Sequence, residues 1–175
     1  MRRFLIGLAL LSAAVPTWAA LPVGSKAPDF TTAGALAGKP YKVQLAEQLK
    51  RGPVVLYFFP KAFTGVCDLE ARLFSEKIGE FRKLGARVIG MSADDVDQLK
   101  KFSVQKCAGK FPVATAGPNL RKAYDVVLAK NPDYANRTSY VIAPNGRIVL
   151  EYTNMADAAG HVEQTLAAVK ALKGK

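Results

Sequence analysis

Two cysteines, Cys67 and Cys107, and one histidine, His161, are the side chains best suited to nucleophilic or redox chemistry in this sequence. Cys67 is set apart by what surrounds it. Pro60, Thr64 and Cys67 follow directly on the apolar run Val54-Val55-Leu56-Tyr57-Phe58-Phe59, and Asp68 to Phe74 then begins a helical pattern. Thr64 stands where a helix N-cap belongs, its hydroxyl free to accept a backbone N–H, and Cys67 falls in the first helical turn. The thiolate is the nucleophile, and a free cysteine, with a pKa of about 8.5, is mostly protonated at neutral pH. A helix N-terminus offers unpaired N–H groups and roughly half a positive charge, and cysteines placed there titrate at roughly 3.5–7.5. The pattern therefore predicts an activated thiolate at Cys67. The competing reading is a half-buried structural cysteine at a helix start.

The elements that must hold this cysteine can be read along the chain. The run Val54–Phe59 is rich in β-branched and aromatic residues, as in a strand buried on both faces. Pro60 stops it, having no N–H for the ladder. Such a strand puts Cys67 at the carboxyl edge of an α/β sheet, where open sheets commonly place their sites. Leu21 to Phe30 reads as an extended opening segment, its prolines arguing against a helix. Thr31–Ala35 predicts a short strand, a turn comes at Gly38-Lys39-Pro40, and Tyr41–Lys50 predicts a strand passing into a helical turn. Leu69, Leu73, Ile78, Phe81 and Leu84 recur at a helical period up to Gly85. Ala86–Ser92 predicts the next strand, and Asp94 or Asp95 the cap of a helix carrying Leu99 and Phe102, with Cys107 at its far end. Phe111–Thr115 predicts a strand and Leu120–Leu128 a helix. Thr138–Ile142 and Arg147–Tyr152 flank Asn145-Gly146, a hairpin signal. A closing helix from Asp157 carries Val162, Leu166, Val169 and Leu172, and places His161 among polar neighbours, where it is expected to be exposed and without a catalytic role. Alternating β and α elements of this kind predict a three-layer α/β domain.

Pro60-x-x-x-Thr64-x-x-Cys67 resembles the peroxidatic motif of the peroxiredoxins. Tyr57-Phe58-Phe59-Pro60-Lys61 before it and Glu70 after it resemble the bacterioferritin-comigratory, or Q-type, branch, and Gly24-x-x-Ala27-Pro28-x-Phe30 resembles the family's opening segment. The resemblance implies a thioredoxin-like fold, a central mixed β-sheet flanked by helices, and a thiol-dependent peroxidase without a cofactor. It implies that Cys67 attacks hydrogen peroxide or an alkyl hydroperoxide to give a sulfenic acid. Thr64 would orient the peroxide, Pro60 would shield the site from water, and Arg137, at the start of the first hairpin strand, would take the place of the family's active-site arginine. Glu70 would either position Arg137 or be an ordinary helix-face carboxylate.

Many Q-type members carry a resolving cysteine five residues after the first. Here that place is Arg72, so the resemblance points instead to a second group of the branch and to Cys107. It implies an intramolecular Cys67–Cys107 disulfide as the turnover intermediate, reached by local unwinding and reduced by a thioredoxin-like protein. The bland alternatives for Cys107 are a permanent disulfide or a buried free thiol. Rival functions on the same scaffold are a thiol–disulfide oxidoreductase, which would want Cys-x-x-Cys where this chain has Cys67-Asp68-Leu69-Glu70, and a non-enzymatic binding module. The branch resemblance also leans towards a monomer, with a dimer open.

Composition bounds the rest. Half the residues are apolar and none of the sequence is low-complexity, so the chain reads as one globular domain. Residues 1–19 read as a cleavable secretory signal: Arg2-Arg3, an apolar stretch from Phe4 to Val15, and small residues in Thr17-Trp18-Ala19. That leaves 20–175 as the folded domain, soluble, with no membrane span, and with the periplasm as its expected compartment. A secreted destination permits the two cysteines to pair. The formal charge of +11 comes from scattered Lys and Arg without a nucleic-acid-binding pattern, so a solvated basic surface is expected and no nucleic-acid partner. Two cysteines and one distant histidine are too few for a structural zinc site, and no metal is expected.

Overall fold

The computed structural model describes residues 20–174. The expected signal segment, residues 1–19, lies outside the described residues. Seven strands and five helices follow in the order β1 (Thr31–Leu36), β2 (Lys39–Gln44), α1 (Leu45–Leu49), β3 (Val54–Phe58), α2 (Gly65–Lys83), β4 (Arg87–Ser92), α3 (Val96–Gln105), β5 (Val113–Thr115), α4 (Pro118–Ala123), β6 (Thr138–Ile142), β7 (Ile148–Thr153) and α5 (Ala158–Lys173). The strands form one mixed sheet in the order β2-β1-β5-β4-β3-β6-β7. The pairs β3–β4 and β4–β5 are parallel; β1–β2, β1–β5, β3–β6 and β6–β7 are antiparallel.

The central strand β3 is buried along its whole length, as its uninterrupted apolar run predicts. Alternate residues point to opposite faces. Val55, Tyr57 and Phe59 join one core with Phe74, Ile78 and Phe81 of α2, Leu99 and Phe102 of α3, and Val162, Leu166 and Val169 of α5. Val54, Leu56 and Phe58 join the other core with Leu45 of α1, Tyr124, Val126 and Tyr140. Helices on both faces of a mixed sheet give the three-layer, thioredoxin-like architecture. Each fully buried Val, Leu or Phe stabilises the fold by about 1.5–3 kcal/mol relative to exposure, so β3 is the anchor from which the site is hung.

The remaining expectations meet the structure with local differences. The strand expected over Phe111–Thr115 shortens to β5, because Pro112 has no N–H to pair; its carbonyl accepts from Gly90 N at 3.1 Å instead. The helix expected over Leu120–Leu128 is only α4, Pro118–Ala123. Asp125 takes a left-handed backbone, φ 52°, and Val127 pairs with Ala135 in an isolated bridge, so Tyr124 and Val126 turn into the second core. Asp95, rather than Asp94, caps α3, its carboxylate accepting from Gln98 N at 2.8 Å. Asp157 caps α5 through Gly160 N, also at 2.8 Å. The opening segment is stitched to the β6–β7 hairpin by Gly24 N to Ile148 O and Ala27 N to Gly146 O, at 2.8 and 2.9 Å. Among the described residues no helix is long and apolar enough to cross a membrane.

Candidate active site

The loop between β3 and α2 carries two of the expected residues, Pro60 and Thr64. Phe59 N still bonds Met91 O at 2.9 Å, continuing the β3–β4 ladder, and Pro60 then ends it. The loop is pinned from below by Asp94, which accepts from Ala62 N at 2.7 Å and from Ser92 Oγ at 2.8 Å. Phe63 adopts φ 61° there, a left-handed conformation a bulky residue tolerates only where packing holds it, and its ring meets Phe102 edge-on at 5.4 Å. Thr64 occupies the N-cap position of α2, with one correction to expectation. Its hydroxyl makes no cap bond; it donates to Lys61 O at 2.8 Å. With its hydrogen committed, the exposed Thr64 oxygen keeps lone pairs to accept a hydrogen from a small molecule at the helix start.

Cys67 lies in the first turn of α2, 2 % exposed. The first i→i+4 bond of the helix runs from Asp68 N to Thr64 O, so the N–H groups of residues 65–67 precede the regular ladder and face the thiol's end of the helix. Arg137, immediately before β6, brings its guanidinium across. Its Nη2 donates to Cys67 Sγ at 3.2 Å, its Nε to Met155 O at 3.0 Å, and its Nη1 to Glu70 Oε2. Arg137 is 2 % exposed and Glu70 0 %. Glu70, one helical turn after Cys67, is thus buried against Arg137 rather than exposed on the helix face.

The electrostatics follow from that enclosure. Burial pushes the Glu70 carboxyl up to about 8, against the pull of Arg137. Burial also works against the Arg137 charge, but Glu70 and Cys67 outweigh it, and the guanidinium is held more firmly protonated than usual. The guanidinium is thus a charge-assisted donor in contact with the sulfur.

His161 corrects the sequence reading. It is not exposed but 0 % accessible, with Nδ1 2.8 Å from Ser139 Oγ, Nε2 2.9 Å from Asn154 O, and the Tyr152 ring edge-on at 4.8 Å. Burial lowers its pKa to about 4. The signal for this was in the spacing: Ala158, His161, Thr165 and Val169 recur three and four residues apart along the buried stripe of α5.

Cys107 lies just past the end of α3, fully buried, and in the same apolar core as Cys67. Both thiols are free. Burial, with Asp68 adding to it, pushes the Cys107 thiol far up. The residues next to the two cysteines are joined: Lys106 Nζ bonds Asp68 Oδ2 at 2.7 Å across the gap between α3 and α2. A shallow recess of about 370 Å³ opens over this pair, lined by Gly65, Asp68, Leu69, Arg72, Gln105 and Lys106. Another, of about 400 Å³, lies away from Cys67 among Arg51, Arg82, Arg87 and Lys110.

So the structure brings Cys67, Glu70 and Arg137 into direct contact, sets Thr64 and Pro60 on the same loop edge, and holds Cys107 in the adjoining core. Known proteins resemble this chain. The family described as "AhpC/TSA family" matches residues 23–151. Peroxiredoxin Q, chloroplastic, of Gentiana triflora is 30 % identical over 155 residues, covering 89 % of this chain and 70 % of that protein. The Sedum lineare protein of the same name is 30 % identical over 150 residues, covering 86 % of this chain and 78 % of its own. Among solved structures, peroxidoxin BcpB from Mycobacterium tuberculosis superposes with a TM-score of 0.75 at 27 % identity, covering 86 % of this chain and 97 % of that one. Mycobacterium tuberculosis AhpC, at 22 % identity and a TM-score of 0.77 over 88 % of this chain and 94 % of that one, shares the fold.

Proposed function

The chain belongs to the AhpC/TSA family, the peroxiredoxins, and from that premise we propose that Cys67 is the residue that attacks peroxide and Cys107 the one that resolves it. Membership makes the protein a thiol-dependent peroxidase, with a hydroperoxide as substrate and a thioredoxin-type thiol as reductant. What supports Cys67 above all is one buried contact: Arg137 Nη2 donating to its sulfur at 3.2 Å.

In the first step the Cys67 thiolate attacks the terminal peroxide oxygen. An S–O bond forms, the O–O bond breaks, and the electron pair leaves on the other oxygen, which takes a proton to become water or alcohol. Arg137 has a fixed guanidinium beside the charge that moves from sulfur to oxygen, and Thr64 Oγ accepts a hydrogen bond from the peroxide O–H. Pro60, half-buried at the loop edge, limits water access. In the second step Cys107 attacks the sulfenic sulfur, an S–S bond forms and water leaves. The shared core and the Lys106–Asp68 bridge place the two chain segments side by side, and both helix ends must loosen for the sulfurs to meet. The reductant then returns both thiols by exchange.

We assign the working form as a monomer and its compartment as the periplasm, the latter from the signal-like character of residues 1–19. Sedimentation tests the first, and cell fractionation with N-terminal sequencing, expected to begin at Ala20, tests the second. The catalytic assignment is tested by intact mass after one equivalent of hydrogen peroxide. Wild type should lose two hydrogens and Cys107→Ser should yield a trappable sulfenic acid. Oxidation that survives Cys67→Ser would overturn the assignment.

A further inference from the structure

Behind Arg137 lies a second layer of polar groups that the two-step reaction leaves unused. Glu70 meets Arg137 through Oε2 alone; Oε1 is buried without a hydrogen-bond partner, 3.8 Å from His161 Nδ1. The neighbours of His161 fix its tautomer. Nε2 faces the Asn154 carbonyl, which can only accept, so Nε2 carries the hydrogen. Nδ1 then accepts from the Ser139 hydroxyl. In a neutral ring Nδ1 therefore carries no hydrogen of its own to offer Glu70 Oε1, 3.8 Å away. Were Glu70 ionised at the same time, two buried electron-rich atoms would face each other with no hydrogen between them, an arrangement that burial makes costly. One proton on either group removes the conflict.

Counting charge over the enclosed groups leads to the same place. Cys67 and Glu70 face inwards from α2, Arg137 from the edge of β6, Tyr57 from β3, Tyr152 from β7, and His161 from α5. Asp157 lies at the solvent edge of α5, engaged by Gly160 N and the Tyr152 hydroxyl. Burial keeps the Tyr57 phenol neutral. A Cys67 thiolate and Arg137 cancel, so an ionised Glu70 beside a neutral His161 would leave a net negative interior, and one added proton restores balance. Once Cys67 is a sulfenic acid its charge has gone, and an ionised Glu70 balances Arg137 without that proton.

We propose that Glu70 and His161 together hold one proton while Cys67 is a thiolate and surrender it when Cys67 becomes a sulfenic acid. The inference rests on Cys67 being the attacking residue. The balance is explicit. Thiolate plus hydroperoxide gives sulfenic acid plus the leaving hydroxide or alkoxide; that oxygen takes up one proton, and the pair gives one up, so the solution supplies none. Without the pair, the solution supplies one proton for each Cys67 oxidised. The direction of both shifts agrees: with Glu70 raised to about 8 and His161 lowered to about 4, the shared proton rests on Glu70 at neutral pH. His161 and Ser139 act here as positioning residues.

The experiment uses the full chain carrying Cys107→Ser, so that oxidation stops at sulfenic acid. Limiting hydrogen peroxide is added in weak buffer at neutral pH with an indicator dye, and mass spectrometry counts the sulfenic product. The expected result is proton uptake per sulfenic acid well below one, rising to about one with Glu70→Gln or His161→Gln added. His161 is the only histidine in the sequence, so ¹⁵N-histidine labelling of untagged protein gives a single ring, which should keep its Nε2 hydrogen throughout and shift at Nδ1 on oxidation. Equal uptake in wild-type and Glu70→Gln backgrounds would overturn the proposal, as would a His161→Gln variant that only melts earlier with its proton count unchanged. If no sulfenic acid forms at all, the assignment of Cys67 fails first and this inference goes with it.

Discussion

Cys67 and Cys107 share one core and are buried almost alike, 2 % and 0 % exposed, yet their surroundings differ in kind. Cys67 has an arginine donor at 3.2 Å and the open N-terminal turn of a long helix. Cys107 has apolar neighbours and a carboxylate, Asp68, whose charge adds to burial in holding its proton on. Burial alone holds the proton on a thiol, and a cation buried beside the sulfur opposes that effect. On the proposed assignment the labour is divided: Cys67 attacks first, and Cys107 becomes a nucleophile only after its surroundings open.

The most severe break in that contrast is Cys67→Ser, which should reduce peroxide consumption to background, whereas Cys107→Ser should leave the first oxidation intact and abolish disulfide-linked turnover. Stopped-flow peroxide decay and a thioredoxin-coupled assay separate the two. Next, Arg137→Met should lower kcat/KM for peroxide roughly 10²–10³-fold, the cost of removing one preorganised donor. Arg137→Lys should recover only part, because a point charge cannot bond Cys67, Glu70 and the Met155 carbonyl together.

Stability against pH probes the buried acid on the Cys67 side. A raised Glu70 means that the native state binds a proton the unfolded state has lost, so this group's contribution falls as pH climbs from about 4.5 to about 8. A lowered His161 acts oppositely between about 4 and 6.5. The two cancel where they overlap, and a net loss of stability remains from about 6.5 to 8. Glu70→Gln should flatten that upper slope in thermal melts; an unchanged slope would count against a buried, protonated Glu70.

The smallest effects compare the two helix starts. Thr64→Val should cost little stability, since Thr64 makes no cap bond, but should slow peroxide reduction up to roughly tenfold, the worth of one hydrogen bond. Asp95→Ala should do the reverse, costing about 1 kcal/mol through the lost cap of α3 and leaving the first oxidation unchanged.

The part of this site that could be read in the sequence is the part carried by local order. An apolar run, a proline and a helical period placed Cys67, and resemblance added Thr64, Arg137 and the choice of Cys107. The brace between Glu70 and Arg137 joins residues far apart in the chain, and spacing alone could not distinguish it from a surface carboxylate. His161 was misread because Glu163 and Gln164 after it suggest a solvent face, whereas its ring is enclosed by Ser139, Asn154 and Tyr152. The Leu120–Leu128 helix failed for a backbone reason, the left-handed Asp125, that side-chain periodicity does not record.

The bridge between Lys106 and Asp68 is largely covered at each side chain, at 34 % and 24 % exposed, and it ties together the two segments whose ends, on the proposed assignment, loosen before a disulfide forms. A pair at that depth is still reached by mobile ions, whose screening length shortens from about 10 Å at 0.1 M to about 3 Å at 1 M salt. Ionic strength should therefore act as a tuning knob on the second step alone: added salt weakens the tie, speeds the loosening around Cys107, and leaves the encounter of Cys67 with an uncharged peroxide at its former rate.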